Sequence, residues 1–193
     1  MTDAERLSRA KSLTHRQLMR HWRRLREGKP MGAWGGRGYA LEYIFLRGFD
    51  LELESTRYEE VRWPYGFTSE QLRLGTLEQI DGAIYTRLGT FLVESKCLSK
   101  EVDVEPLAKL RFRLEGRPPL TMGILVSASG FTQVAKLYAS FATPLNVLLW
   151  TAEDIDATLP QQRMMDGVRR KLRQAVERKE ALLDLKADYE SNP

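Results

Sequence analysis

Three residues near the middle of the chain have the types and spacing needed to act together on a phosphate ester. Asp81 lies in the run EQIDGAIY, and Glu94 and Lys96 lie in the run TFLVESKC. Because side chains alternate between the two faces of a strand, Glu94 and Lys96 are predicted to point to the same side. Two carboxylates can bind a divalent metal ion, and a neighbouring lysine can orient or deprotonate an attacking water.

A predicted β-hairpin brings the two carboxylates together. The polar link Thr86–Gly89 joins the two strand-like runs and ends in glycine, as hairpin turns commonly do. With this turn Tyr85 pairs with Thr90, and counting along the antiparallel ladder puts Asp81 opposite Glu94. Directly opposed residues have Cβ atoms about 5 Å apart. Two carboxylates at that separation repel unless a cation lies between them, so the count predicts a Mg²⁺ site, with Mn²⁺ as a substitute.

The same residues suggest a hydrolytic mechanism. A metal ion held by Asp81 and Glu94 would stabilise charge on a phosphate and lower the pKa of a bound water. The carbonyl of Ser95 could complete the metal's ligands, and Glu42 is a candidate outer or second-metal carboxylate. A Glu-x-Lys on a strand is more often a solvated edge, and Asp-Gly is more often a turn. Here both acids lie in apolar runs, where unpaired charge is costly.

The elements around this hairpin predict an α/β protein. An N-terminal helix carries apolar or small residues at spacings of three and four: Leu7, Ala10, Thr14, Leu18, Trp22 and Leu25. Before the hairpin, YALEYIFLRGF predicts a buried helix, and YEEVRW predicts a strand followed by a bend at Pro64 and Gly66. After the hairpin, helices and strands alternate. The predicted helices are VEPLAKLRFRLEGR and FTQVAKLYASFA, and the predicted strands are TMGILVSAS and PLNVLLWT. From about Pro160 the pattern predicts one long helix with a narrow apolar stripe: Met165, Val168, Leu172, Ala175 and Leu182.

Charge is distributed unevenly along the chain. The formal net charge is +4, but residues 1–29 hold nine Lys or Arg against three Asp or Glu, and residues 30–160 hold thirteen against seventeen. An acidic centre beside basic ends suits an enzyme that acts on a polyanion, and Arg20, Arg23 and Arg24 are candidate nucleic-acid contacts. The alternative is a solvated helical face. One cysteine, no apolar run of about 18 residues and no secretion signal favour the cytoplasm.

The motif residues resemble a known superfamily. The motif of the PD-(D/E)xK nucleases is similar to the run IDG followed by ESK, with Glu94 thirteen positions after Asp81. The usual proline of that motif is absent, since Ile80 precedes Asp81. Within that superfamily, residues 33–155 look most like the Mrr-like restriction endonuclease group, through SASGFTQVAKLYA and the glutamate in YALEYIF.

The resemblance implies a restriction-endonuclease-like fold, with a mixed central sheet flanked by helices and with helices added at both termini. It implies metal ligands at Asp81 and Glu94, a catalytic Lys96, and Glu42 and Gln133 as active-site neighbours. For Gln133 a plain helix-surface amide is an equally good interpretation. The chain then divides into a basic helix at 1–30, a nuclease core at 31–158 and a C-terminal helix at 159–193.

The predicted function is metal-dependent hydrolysis of DNA phosphodiester bonds, in a restriction, defence or DNA-processing role. No basic groove interleaved with aromatic residues is evident, which favours duplex DNA over single strands or RNA. The rivals are a catalytically silent nuclease fold that binds nucleic acid or a protein partner, and a scaffold whose terminal helices do the work. Cutting both strands suggests a homodimer joined by the C-terminal stripe. The alternative is that both terminal helices fold back on their own core.

Overall fold

The computed structural model describes residues 1–54, 56, 58–69 and 74–192. The helices are α1 Asp3–Ser12, α2 His15–Arg26, α3 Arg37–Leu53, α4 Val104–Glu115, α5 Gln133–Phe141, α6 Ala152–Thr158, α7 Met164–Arg178 and α8 Leu185–Ser191. The strands are β1 Glu60–Arg62, β2 Tyr65–Ser69, β3 Leu74–Ile80, β4 Gly82–Thr86, β5 Gly89–Lys96, β6 Thr121–Ser127 and β7 Val147–Thr151. None of the described helices is long and apolar enough to cross a membrane.

The central sheet is mixed, which confirms the predicted α/β class. Its strand order is β1-β4-β5-β6-β7, while β2 and β3 form a separate antiparallel pair. Strands β1, β4 and β5 are antiparallel neighbours, and β5, β6 and β7 run parallel. Parallel neighbours need a crossover, and α4 and α5 supply one each. The predicted helices and strands from β5 to β7 are therefore confirmed.

Helix α3 is the centre of the core. Nearly all of its faces are buried, as its apolar sequence predicts, and Phe45 and Phe49 pack edge-to-face on Trp150 of β7. Close approach to the sheet depends on Gly82, the first residue of β4. A Cβ atom there would lie 2.7 Å from both Cδ atoms of Leu46 and 3.0 Å from the carbonyl oxygen of Arg62, so a larger residue would force the Leu46 side chain of α3 to shift.

The N-terminal segment is two helices rather than the one predicted. The chain breaks between α1 and α2 because Thr14 forms a capping box with Gln17 and starts a new helix. Thr14 is accordingly exposed, although it was counted in the apolar stripe. Four members of the stripe are buried in the main core beside α3: Ala10, Leu18, Trp22 and Leu25.

The C-terminal segment also differs from the prediction. Helix α7 ends at Arg178 because the next residue, Lys179, has a left-handed φ of 57°, and α8 follows as a separate helix. Met165 and Val168 are buried in the chain's own core, and Leu172 and Ala175 pack against it. The stripe predicted as a pairing seam is therefore covered by its own chain, which is the alternative that the sequence left open.

Of two local predictions around the hairpin, one was confirmed in part and the other was wrong. The chain bends at Pro64 as predicted, but β2 begins at Tyr65 and includes Gly66, so Gly66 is not part of the bend. Asp81 was predicted inside a strand, but β3 ends at Ile80 and β4 begins at Gly82. Asp81 thus lies in the one-residue break between two strands that belong to different sheets.

A buried ion pair fixes the C-terminal helices to the sheet. Lys171 of α7 and Asp154 of α6 are almost fully buried, with Nζ 2.8 Å from Oδ2. Lys171 also donates to the carbonyl of Leu183, and Asp154 accepts the backbone N–H groups of Thr151 and Leu185. One pair therefore joins β7, α6, α7 and the segment before α8.

We expect Lys171→Met to lower the free energy of unfolding by about 3–5 kcal/mol, because it leaves the Asp154 carboxylate buried without its cation. Chemical denaturation measures this. The matched control is Arg173→Met, on the same helix but with a side chain that is 77% exposed in a surface pair with Glu177. Equal stability of the two variants would contradict a structural role for the buried pair.

Candidate active site

The β4–β5 hairpin has the predicted register. Tyr85 pairs with Thr90, and the last paired residues before the break are Gly82 and Val93. Just beyond them, Oδ2 of Asp81 accepts the backbone N–H of Ser95 at 2.7 Å and its hydroxyl at 3.0 Å. These two bonds hold the carboxylate of Asp81 against β5, beside Glu94.

Glu94 is the most constrained carboxylate of the group. It is 9% exposed, and each of its oxygens accepts from a different cation. Lys96 Nζ lies 2.5 Å from Oε1, and Arg113 Nη1 lies 2.5 Å from Oε2. The predicted same-side placement of Glu94 and Lys96 is therefore observed, and their contact is an ion pair.

Arg113 is a further charged residue of the site, and it was not predicted from the sequence. It lies on α4, nineteen residues after Glu94, and also approaches Glu78 of β3 through Nε at 3.3 Å. Arg117 donates to the other oxygen of Glu78 at 2.6 Å. The available signal was the position of Arg113 three residues after Leu110 and one before Leu114, on the buried face of an amphipathic helix.

The predicted acidic residues line one cavity of about 480 Å³. Its walls come from the glycine-rich segment before α3, from α3 itself, from the break after β3, from β5 and from α4. The lining residues are Gly35, Gly36, Gly38, Tyr39, Glu42, Gln79, Asp81, Glu94, Ser95, Lys96 and Arg113. Glu42, Asp81, Glu94, Ser95 and Lys96 are thus brought together from three separate parts of the sequence.

Burial, together with repulsion between the carboxylates, raises the pKa values of two of them. Burial raises the pKa of Glu42 to about 9, and the nearby charges of Asp81, Asp3 and Glu94 contribute to the shift. Burial and Glu94 also raise the pKa of Asp81, while the bonds from Ser95 and the charge of Lys96 oppose that shift. Among the described residues, Glu42 has neither a hydrogen bond nor an ion pair, so in this state it retains a proton at neutral pH.

The N-terminal helix forms part of the cavity's surroundings, which the sequence did not predict. Arg6 of α1 donates to the carbonyl of Trp34 at 3.0 Å, and its guanidinium lies 3.5 Å from the ring centre of Tyr39. A Cβ atom on Gly35 would come within 2.9 Å of the same guanidinium. Helix α1 therefore braces the glycine-rich wall, and it brings Asp3 close enough to affect Glu42.

The remaining predicted residues lie apart from this cavity. Gln133 is exposed at the first turn of α5 and does not line it. Arg20, Arg23 and Arg24 are exposed on α2. Within the part of the chain that the structure describes, no three His, Cys, Asp or Glu side chains form a group that could by itself hold a metal ion. An ion in this cavity would therefore depend on main-chain, water or phosphate oxygens as well.

Two solved structures resemble the chain at low identity. One is the "Crystal Structure of Protein of Unknown Function AF1548", with 15% identity, a TM-score of 0.40 and coverage of 55% of this chain and 57% of that chain. The other is "DNA modification-dependent restriction endonuclease AspBHI", with 16% identity, a TM-score of 0.39 and coverage of 88% of this chain and 39% of that one. This chain thus spans less than two thirds of the length of each of these two chains. No curated protein matches it.

A family model gives the assignment. The Mrr_cat model, described as a restriction endonuclease, matches residues 58–159, which is more than half of the 193 residues. The match includes Asp81, Glu94 and Lys96, and it excludes Glu42 and both terminal helical segments. The chain belongs to the Mrr catalytic-domain family of restriction endonucleases.

Proposed function

We propose that the chain is a metal-dependent endonuclease that hydrolyses the phosphodiester bonds of duplex DNA. The observation that carries the proposal is the convergence of Asp81, Glu94 and Lys96 with Glu42 on one cavity. Membership of a restriction endonuclease family supports the same reaction. The biological role that we propose for this reaction is restriction, defence or DNA processing.

The charges around the cavity fit a divalent cation. Burial and the charge of Asp81 raise the pKa of Glu42, burial and the charge of Glu94 raise the pKa of Asp81, and Glu42 makes no ion pair among the described residues. Asp81, Glu94 and the carbonyl of Ser95 would hold Mg²⁺, or Mn²⁺ in its place, with Glu42 as an outer or second-metal carboxylate. When bound, the metal lowers the pKa of a water and stabilises charge on the phosphate.

The protein's own groups have separate roles in this proposal. Ser95 fixes the orientation of Asp81 through its N–H and hydroxyl groups. Lys96, with a side chain 30% exposed, reaches the cavity and would orient or deprotonate the attacking water. Arg20, Arg23 and Arg24 would contact the DNA backbone from α2, which is one source of salt-dependent affinity.

A second candidate is a catalytically silent nuclease fold that binds nucleic acid or a protein. The observation that favours it is the pairing of Glu94, whose two oxygens are both engaged by Lys96 and Arg113. A carboxylate neutralised in this way has less attraction for a metal ion. Measurements of metal binding and DNA cleavage by the purified chain distinguish the two candidates, because only the endonuclease would show both.

We expect Asp81→Asn, Glu94→Gln and Lys96→Ala each to reduce plasmid cleavage by about 10²-fold or more, because each removes a metal ligand or the water-activating group. Gel assays with Mg²⁺, Mn²⁺ or a chelator measure this, and the chelator should abolish cutting. Circular dichroism checks the fold, and the exposed Lys186→Ala on α8 is the matched control. Full activity in all three variants would refute the proposed mechanism.

Glu42 should make the metal-free protein less stable as the pH rises. Its pKa is about 9 in the folded chain against an ordinary 4.5, so between these values the folded state binds one proton more than the unfolded state. Stability then falls with increasing pH. Metal-free Glu42→Gln should melt a few degrees above the wild type at about pH 8, with the difference vanishing at about pH 4.

The control for this pH effect is Glu190→Gln, an exposed glutamate of α8. It should shift the melting temperature little at either pH. A Glu42→Gln protein that is less stable than the wild type at high pH would show that Glu42 has a stabilising cationic partner instead.

A homodimer remains part of the proposal, because one site cuts one strand at a time. With the α7 stripe covered, α5 offers an exposed apolar row at helical spacing: Val134, Leu137, Tyr138 and Phe141. In such a dimer the row on α5 of one copy would pack against the same row of the second copy.

Light scattering should give a dimer for the wild type and a monomer for Phe141→Glu, whose side chain is 81% exposed. A monomeric wild type at micromolar concentration would refute the dimer.

A further inference from the structure

Arg113 lies at the boundary between two cavities. It lines the site of about 480 Å³ and also a neighbouring cavity of about 1060 Å³ that runs along α4. Gln79 is the other residue that both cavities share. A nucleic-acid strand that entered the site along α4 would pass the Arg113 guanidinium.

The contact between Arg113 and Glu94 engages a carboxylate that the proposed metal ion would also use. Arg113 Nη1 lies 2.5 Å from Oε2 of Glu94, while Lys96 occupies the other oxygen. A metal ion that binds Glu94 would compete with these cations for the negative charge of the carboxylate, since each oxygen already accepts a short charge-assisted bond. Lys96 lies on the same strand, whereas Arg113 reaches in from α4 on a long flexible side chain.

A second acceptor is available to Arg113. Glu78 Oε1 is buried without a hydrogen-bond partner, although Arg113 Nε lies 3.3 Å away. Arg117 already binds the other oxygen of Glu78 at 2.6 Å and holds that carboxylate in position. A small rotation of the guanidinium away from Glu94 would let Nε complete a bond to Glu78 and turn the remaining N–H groups toward the cavity.

We propose that Arg113 alternates between Glu94 in the metal-free chain and a DNA phosphate in the metal-bound complex, with Glu78 as its anchor. The guanidinium fork matches a phosphate as well as it matches a carboxylate, so the exchange replaces one anionic partner by another. The inference rests on the proposed nuclease function and adds to it a phosphate-binding residue that competes with the metal.

Metal binding without DNA tests the first half of the exchange. Isothermal calorimetry with Mn²⁺ alone should give about tenfold tighter binding for Arg113→Gln than for the wild type, because a charge-assisted bond no longer competes for Glu94. Arg111→Gln is the matched control, since Arg111 lies on the same helix and donates to the carbonyls of Thr143 and Pro144 rather than to Glu94 or Glu78. It should leave the affinity unchanged. Equal affinities of Arg113→Gln and the wild type would overturn the competition.

DNA binding in Ca²⁺ tests the second half. The slope of log affinity against log salt for a short duplex should fall by about one for Arg113→Gln. The control Arg87→Gln lies in the turn at the opposite end of β5 and should keep the wild-type slope. Arg113→Lys retains the charge and should keep it too, which also excludes misfolding as the cause. An unchanged slope for Arg113→Gln would overturn the phosphate contact.

Failure of the proposed function gives a different result. A wild-type chain that binds no divalent metal and cuts no DNA refutes the nuclease proposal itself. A wild-type chain that binds metal and cuts DNA, while Arg113→Gln matches it in metal affinity and salt slope, refutes only the role of Arg113.

Discussion

Repulsion between buried carboxylates is the constraint on which the arrangement of this site depends. Each acid is accommodated in a different way. Glu94 is paired with Lys96 and Arg113, Asp81 accepts two hydrogen bonds from Ser95, and Glu42 retains a proton because its pKa lies near 9. Cations and donors must therefore reach the cavity from β5 and α4 at once, and the packing of these elements follows from that need.

The fold meets this requirement through close contacts around the hairpin. Gly82 lets α3 approach the start of β4, which brings Glu42 to the same cavity as Asp81. The ion pairs that link Arg113 and Arg117 to Glu78 join the end of α4 to β3. Removing a cation from this network would leave a half-buried carboxylate without compensation, so the network both orients the site and stabilises it.

The terminal segments contribute to the core rather than extending from it. Helices α1 and α2 pack on α3, and α1 braces the glycine-rich wall of the cavity through Arg6. Helix α7 packs on α3 from the other end of the chain, held by the pair between Lys171 and Asp154. The family match begins after α3 and ends before α7, so these helix–helix contacts lie outside the matched region, whereas Asp154 lies within it.

The sequence by itself determined the α/β class, the hairpin register and the association of Asp81 with Glu94 and Lys96. These features depend on local turn chemistry and on the period-two alternation of strands, which are readable from neighbouring residues. The family followed from the same motif. The tertiary structure alone decided that Arg113 pairs with Glu94, that Asp81 lies in a break between two sheets, and that the terminal stripes are covered by the chain's own core. Those outcomes depend on contacts between residues far apart in sequence, and amphipathic spacing shows that a face will be buried without showing what will cover it.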